Sequence, residues 1–404
     1  MNKNIWLLLL AKWTSNFGTH FHMLAFPLLV YEKTQSVTLL SLTFIAETLP
    51  WLLIGPVIPH LIKNRFSPKA ILLYCDFFRF IIVLGTIYFI DHTWIVLSLI
   101  FILGTLNSIH GSFRTSIVKS NTDDITLKTT LGISLGIDDV ISMIAPVLGA
   151  LMISNGVSSF NLLLLDALTY LMSAILLIGV KSERYTGEEA TQEKQYFVRE
   201  VTRGFHIIWN HPQLRWLATI EGIRSLVEGI SIPLLMLYVV DVLSSSDATF
   251  AWSRALSAAC AILASLFYIK WSLKISTEKF TKVGTIILIA SMAIFSVIHH
   301  TVLFFIASAL LGLGMAIRQL VSENLLIQVT PARDLPEVAS AFNAAISSFY
   351  VIGYAISILP EQGIPVTYFF ALSAVLLIAG HVLTVGKRSI NDSEERSNGT
   401  QVNL

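Results

Sequence analysis

Two adjacent aspartates, Asp138 and Asp139, stand in the apolar run IDDVISMIAPVLGA, residues 137–150, which ends in Pro146 and Gly149. An ionised carboxylate at mid-bilayer depth costs roughly 2.5 to 3.5 kcal/mol on insertion scales, so such a group is expected to face a cavity, a partner or a proton path. Neighbouring positions lie about 100° apart on a helix and cannot both face one cavity squarely. Asp138 is the better candidate for loading and releasing a proton, because Ser134 and Ser142 extend a polar stripe from it at i−4 and i+4. Asp139 is left to pair with a neighbouring helix.

Many other ionisable groups fall within or near apolar runs: Lys12, Glu47, His110, Arg114, Glu221, Arg224, Glu228, Arg254, Arg318 and Glu323. Glu221, Arg224 and Glu228 are spaced i, i+3 and i+7, so they share one helix face and can pair. Gly222 and Gly229 stand beside them. Asn107, His110 and Arg114 repeat that spacing, and Lys12, Asn16 and Thr19 form a similar face. Any one pair is as well explained by holding two helices together. The set as a whole is not, since packed apolar residues replace a structural pair without loss. Arg114 lies near the end of its run, where a long side chain can snorkel to the interface.

This inventory suits charge recognition and proton transfer, not covalent catalysis. His20 and His22 are two apart, on nearly opposite faces of a helix, and cannot chelate one ion from the same cavity. His299 and His300 fall in a polar break and are expected to be solvated. No metalloprotease, phosphate-loop or nucleotide fingerprint is present, so no enzyme, metal or cofactor is expected.

The elements that must position these groups follow from composition. Hydrophobic residues make up 54% of the 404 residues and charged ones 13%, with a mean hydropathy of +0.71, against about 25% charged in soluble domains. The chain is expected to cross a membrane many times. A net charge of +1 argues against a nucleic-acid partner, which would demand a basic stripe. Cys75 and Cys260 lie in apolar runs with no metal or redox spacing and read as small buried hydrophobes. The first apolar stretch reaches Tyr31 without a small-residue cleavage site and is not expected to be a cleavable signal.

Apolar stretches near 20 residues give twelve expected helices, near 5–31, 36–62, 70–90, 94–117, 130–154, 158–180, 213–241, 248–271, 281–298, 301–328, 336–359 and 364–386. With both termini cytoplasmic, the basic residues gather inside, including Lys63, Arg65 and Lys69 and later Lys270, Lys274, Lys279 and Lys282; outside stands only Lys33. A multi-pass protein of the cell membrane is therefore expected. The longest polar segment splits the chain into six-helix halves at 1–180 and 213–388, joined by a cytoplasmic linker at 181–212 and followed by a disordered tail at 389–404. In the linker, Phe197, Val201, Phe205 and Ile208 share one helical face, with Arg199 and Arg203 elsewhere. That face suits either the inner leaflet or packing against the internal loops.

Several segments carry a family resemblance: CDFFRF with Asp76 and Arg79, LLLLDALTYLMSAILL around Asp166, REVTRGFHIIWNHPQLRWL, LLGLGMAIRQLVSENLLIQVTP, and APVLGA at 145–150. They resemble the twelve-span major facilitator superfamily, within it the drug:proton antiporter branch that includes macrolide efflux and enterobactin-exporting proteins. The resemblance implies an all-α membrane fold of two six-helix pseudo-repeats, with spans one, four, seven and ten lining a central cavity. It also implies that Pro146 and Gly149 belong to an exporter signature. In GPVIPHLIKNRFSPK, Lys63 and Asn64 replace the family's aspartate, and Pro336 and Glu337 stand where a Gly-Arg pair is usual. A charge-swapped latch between Lys63 and Glu337 is the corresponding expectation, with Asp76 and Arg79 as further gating or structural residues.

The resemblance implies outward transport driven by inward proton flow, with no cofactor beyond the proton gradient. Substrate contacts are expected from Lys12, Asn16, His110, Glu221, Arg224, Glu228, Arg254, Arg318, Tyr350 and Tyr354, and proton coupling from Asp138, Asp139 and Glu47. Guanidinium groups grip carboxylates bidentately, so this set suits a small polar solute with carboxylates and amines, such as an amino-acid-derived metallophore or siderophore. Trp13, Phe26, Tyr350 and Tyr354 keep a multidrug or macrolide pump open, and a proton-coupled importer is a further alternative. The expected partners are the substrate, protons and the bilayer, with the chain a monomer.

Overall fold

The polar breaks between apolar runs start helices as their residues dictate. Ser36, Ser67 and Ser158 each cap a helix, the hydroxyl accepting a backbone N–H three residues on. Pro68 and Pro212 stand in first turns, where no N–H is needed. The computed structural model describes residues 3–54, 67–120, 124–180, 197–271, 274–297, 300–331 and 334–399. Among the described residues it holds thirteen α-helices. The first six are α1 (Lys3–Thr34), α2 (Val37–Leu53), α3 (Pro68–Tyr88), α4 (Thr93–Ser120), α5 (Asp124–Ser154) and α6 (Ser159–Ile178). After α7 (Phe197–Asn210) come α8 (Pro212–Leu237), α9 (Asp247–Trp271), α10 (Thr277–Val297), α11 (Thr301–Val329), α12 (Leu335–Ile356) and α13 (Val366–Gly399).

Each of the twelve expected stretches carries a helix, and α7 is the amphipathic segment of the linker. Among the described residues, eight helical stretches, in α3, α4, α6 and α8 to α12, are long and apolar enough to cross a membrane. α2 and parts of α5 and α13 are apolar but shorter. α1 belongs to neither group, because its middle turns carry Lys12, Thr14, Ser15, Asn16, Thr19, His20 and His22. The residues that give α1 its chemistry are those that lower its hydropathy. The polar tail departs from expectation, since α13 continues as helix to Gly399. An existing helix propagates readily through Glu394, Glu395 and Arg396.

Helices α1 to α6 and α8 to α13 pack in the same way. α1 lies on α5 and α6, α6 on α3, α3 on α4, and α4 on α2. In the second series α8 lies on α12 and α13, α13 on α10, α10 on α11, and α11 on α9. Crossings of α2 with α12 and of α5 with α9 join the two series. Glycine sets matching crossings within each. A Cβ on Gly104 of α4 would come 2.2 Å from the Glu47 carbonyl oxygen of α2, and one on Gly312 of α11 would come 2.0 Å from the Ser257 carbonyl oxygen of α9. Backbone meets backbone there, which fixes where Glu47 stands. Gly149 makes room for side chains where α5 meets α1, since a Cβ there would come 2.6 Å from the Leu24 Cδ2.

At the end where α1 joins α2, polar bonds tie the two series together. Glu361 accepts from the Ser36 hydroxyl at 2.6 Å, the Thr38 N–H at 2.8 Å and the Thr38 hydroxyl. The Ser41 and Ser357 hydroxyls lie 2.8 Å apart, and the Trp252 indole donates to Ser154 at 2.7 Å. Toward the opposite end, α7 packs on α8 and α12, with Gly204 against the Glu337 carbonyl and Arg203 paired to Asp334. The expected single apolar face of α7 is divided: Ile208 is buried, while Phe205 and Trp209 are exposed. Neighbouring helices already cover the side where Gly204 and Ile208 lie. The Phe197, Arg199 and Val201 side chains lie outside the described residues, as do Lys63 and Asn64 and with them one partner of the expected latch.

Candidate functional site

Most of the buried charge is paired. On α8, Glu221 accepts from the Arg224 Nε at 2.6 Å, and Arg224 reaches Glu228 one turn on. The second Glu221 oxygen takes Arg318 of α11 at 2.5 Å, and the Tyr350 hydroxyl of α12 donates to Glu228. Glu221, Arg224 and Arg318 are buried. Two carboxylates and two guanidiniums thus balance inside one hydrogen-bonded network, the arrangement that makes buried ions tolerable.

A second network joins α3, α4 and α6. Asp76 accepts from Arg79 at 3.0 Å and from the Ser173 hydroxyl at 2.5 Å. His110 Nε2 lies 3.4 Å from the same carboxylate. Arg79 also donates to the Leu106 carbonyl and sits 5.5 Å from the centroid of the Tyr170 ring. A third pair crosses from α1 to α5: Lys12 binds Asp138 and the Ser134 hydroxyl, while Asn16 donates to Asp138 at 3.1 Å. A fourth joins α1 to α6, where His22 Nδ1 lies 3.0 Å from the fully buried Asp166.

Between the two series lies a cavity of about 230 Å³, walled by α1, α2, α8, α9 and α12. Its rings come from Phe26, Phe44, Trp51, Phe250 and Tyr354, and its polar groups are His22, Glu47, Thr48 and Arg254. Phe44 stacks on Tyr354 at 5.2 Å, and Tyr354 bonds to Thr48. Arg254 and Glu47 differ from the charges above. Among the described residues neither makes an ion pair or hydrogen bond, so a cation from α9 and a carboxyl from α2 stand available in one cavity. Aromatic walls around a few convergent polar groups are what a small-molecule site requires.

A family model described as MFS/sugar transport protein matches residues 140–359, more than half of the chain. The chain belongs to this family. It is a membrane transporter of the major facilitator type, and solved structures share its fold. One is a POT family transporter in complex with 5-aminolevulinic acid, with a TM-score of 0.74 and 11% identity over 96% of both chains. Another is a bacterial homologue of the iron transporter ferroportin in an inward-facing state, at 0.72 and 13% over 95% of this chain and 98% of that one. A third is a D-xylose-proton symporter, at 0.72 and 11% over 95% and 96%. No curated protein matches the chain in sequence.

For this transporter, the structure separates the expected site residues. Arg254, Glu47 and Tyr354 meet in the cavity. Glu221, Arg224, Glu228, Arg318 and Tyr350 form the balanced network of the second series. Lys12, Asn16 and Asp138 bind one another, so Asp138 balances Lys12. His110 sits against Asp76 and not among the cavity residues, because its helix turns that face to α3. The side chains of Asp139 and Arg114 lie outside the described residues, and His299 does too. Glu337 is at the start of α12, its Oε2 buried without a hydrogen-bond partner among the described residues. Sequence reasoning passed over His22, Asp166, Thr48 and Trp51. Excluding a shared metal for His20 and His22 did not exclude a carboxylate partner for His22, and Asp166 in an apolar run was the signal.

Proposed function

We propose that the protein is a proton-coupled secondary exporter of a small polar organic solute that carries both a carboxylate and an amine, moved by alternating access. The single observation that carries this reading is the cavity with unpaired Arg254 and Glu47. A guanidinium and a carboxyl facing one space suit a zwitterion, and the rings cover its carbon skeleton. An amino-acid-derived metallophore is the favoured candidate within that class. The five helix pairings that recur in both series support twelve spans in two six-helix repeats, whose interface is where alternating access places the substrate. The excess of Lys and Arg at the other end supports cytoplasmic termini in the cell membrane. The Glu361 and Ser41 bonds then close the outer side.

A multidrug or macrolide pump is the second reading, favoured by the five rings. Size opposes it: about 230 Å³ falls below the ~300–1,000 Å³ of sites for drug-sized ligands. Deleting the gene and comparing strains separates the two. A solute missing from the medium with unchanged macrolide susceptibility supports export of a small polar solute, and hypersensitivity with an unchanged medium supports the drug pump. Substrate-dependent uptake by whole cells would point to import. The latch between Lys63 and Glu337 also stands as a proposal. Reversing both charges together should rescue transport lost in the single reversals, and failure to rescue removes the latch.

A further inference from the structure

We infer that Glu47, His22 and Asp166 together hold the exchanged proton, and that it competes there with the substrate's ammonium group. This rests on the proton-coupled reading above. Among the described residues, Lys12 matches Asp138, Arg79 matches Asp76, and Arg224 and Arg318 match Glu221 and Glu228. A proton added to any of these carboxylates strands a buried cation, which is costly.

Glu47, His22 and Asp166 are different. Two acids face one imidazole, so with His22 charged the cluster still carries one negative charge, and one further proton makes it neutral. The geometry leaves room for that proton. His22 Nδ1 meets one Asp166 oxygen at 3.0 Å, while Asp166 Oδ1 and His22 Nε2 are buried with no hydrogen-bond partner among the described residues. With no donor on that oxygen, the Asp166 charge acts on the nearby Glu47 carboxylate, and a proton taken up by Glu47 from the cavity relieves the repulsion. His22 and Glu47 both open to the cavity, and Glu47 lies within electrostatic reach of His22 and Asp166. Arg79 of α3 and Tyr170 of α6 also face Asp166, Tyr354 of α12 faces Glu47, and Arg254 shares the cavity under the influence of Glu228.

The chemistry is one O–H bond made and broken. When the cavity faces outward, hydronium gives its proton to the Glu47 carboxylate as the solute's ammonium leaves. When it faces inward, the carboxylic acid returns the proton to water and an ammonium takes its place. In the unprotonated form the cluster's negative charge and Arg254 match a zwitterion. In the protonated form Arg254 alone is charged, so a purely anionic solute would travel with the proton and one bearing an ammonium against it. Exchange therefore requires the amine.

The test is an infrared pH titration of the purified full chain in liposomes, following the protonated carboxyl band with buffer pH as the probe and no substrate present. Wild-type protein should show a band that disappears as pH rises. Glu47→Gln, which breaks no bond in the structure, should lose that band, and Asp166→Asn should move its midpoint by about one pH unit or more, as coupled sites do. Asp138→Asn should leave it in place. A full band in Glu47→Gln, an unmoved midpoint in Asp166→Asn, or loss of the band in Asp138→Asn each overturns the proposal. Because no solute is needed, the titration succeeds or fails independently of the comparison of culture media that tests transport.

Discussion

Lys12 of α1 and Asp138 of α5 form an ion pair between two helices of the same series, with Asn16 and Ser134 completing it. The pair cements the helix that carries His22 to the helix that carries Pro146 and Gly149. Asp138→Asn should therefore lower thermal stability. A fully buried pair loses ~3–5 kcal/mol when one partner is removed, and less is expected here because the two side chains keep 14% and 22% of their exposure. Replacing both, as Lys12→Met with Asp138→Leu, should recover most of the loss. Thermal unfolding of the purified protein checks this, and a double variant no better than the single contradicts a pairing role.

Arg224 and Arg254 are one helix apart in the chain and opposite in kind. Arg224 is locked by Glu221 and Glu228, so Arg224→Ala strands a carboxylate and should cost stability as well as transport. Arg254 has no such partner among the described residues, so Arg254→Ala should change the unfolding free energy by no more than the ~0.5 kcal/mol of a neutral substitution and lose substrate binding. Equal loss of stability in the two variants would remove the distinction between a structural and a receptive arginine.

The pairs within one helix were legible in the sequence and those between helices were not. Spacing alone brought Glu221, Arg224 and Glu228 to one face, and their ion pairs follow from it. Nothing in spacing could join Glu221 to Arg318 or His22 to Asp166, since each depends on two helices crossing at a given level. The apolar runs announced their helices for the same local reason, because hydropathy is a property of each segment. Arg254, Glu47 and Tyr354 stood out by residue type, but that they line one cavity depends on helices crossing and was not legible. The position of His110 beside Asp76 was not legible because helix rotation is set by neighbours: the same i, i+3 logic that serves α8 leaves open which way a face of α4 turns.

Gly104 holds α4 against α2 at the level of Glu47. Gly104→Ala must push the backbones apart, and overpacking of this kind costs about 1–3 kcal/mol. Gly312→Ala, at the matching crossing of α9 and α11, should cost a similar amount. Gly104→Ala alone should also change the infrared titration, because it alone moves Glu47. Circular dichroism melts and the titration read the two effects separately, and equal titration changes in both variants would contradict the assignment.

Glu361 caps the start of α2 from the opposite series. Hydrogen bonds to a charged group are each worth about 1.5–3 kcal/mol, and ~1.4 kcal/mol changes a population ratio tenfold. Glu361→Gln removes the charge from these exposed bonds and should raise the population open at this end severalfold. Spin-label distances between residues 35 and 362 would report the shift, and an unchanged distribution would show that these bonds do not hold this end closed.

The central claim is that a small solute with an amine and a carboxylate leaves the cell through the cavity of Arg254 and Glu47. Mass spectrometry of culture media from wild-type, deletion, complemented and Arg254→Ala-complemented strains tests it most directly. The account predicts one such solute, present with the wild-type gene and missing from both the deletion and the Arg254→Ala strains. Media that do not differ, or a solute fully restored by Arg254→Ala, would contradict it.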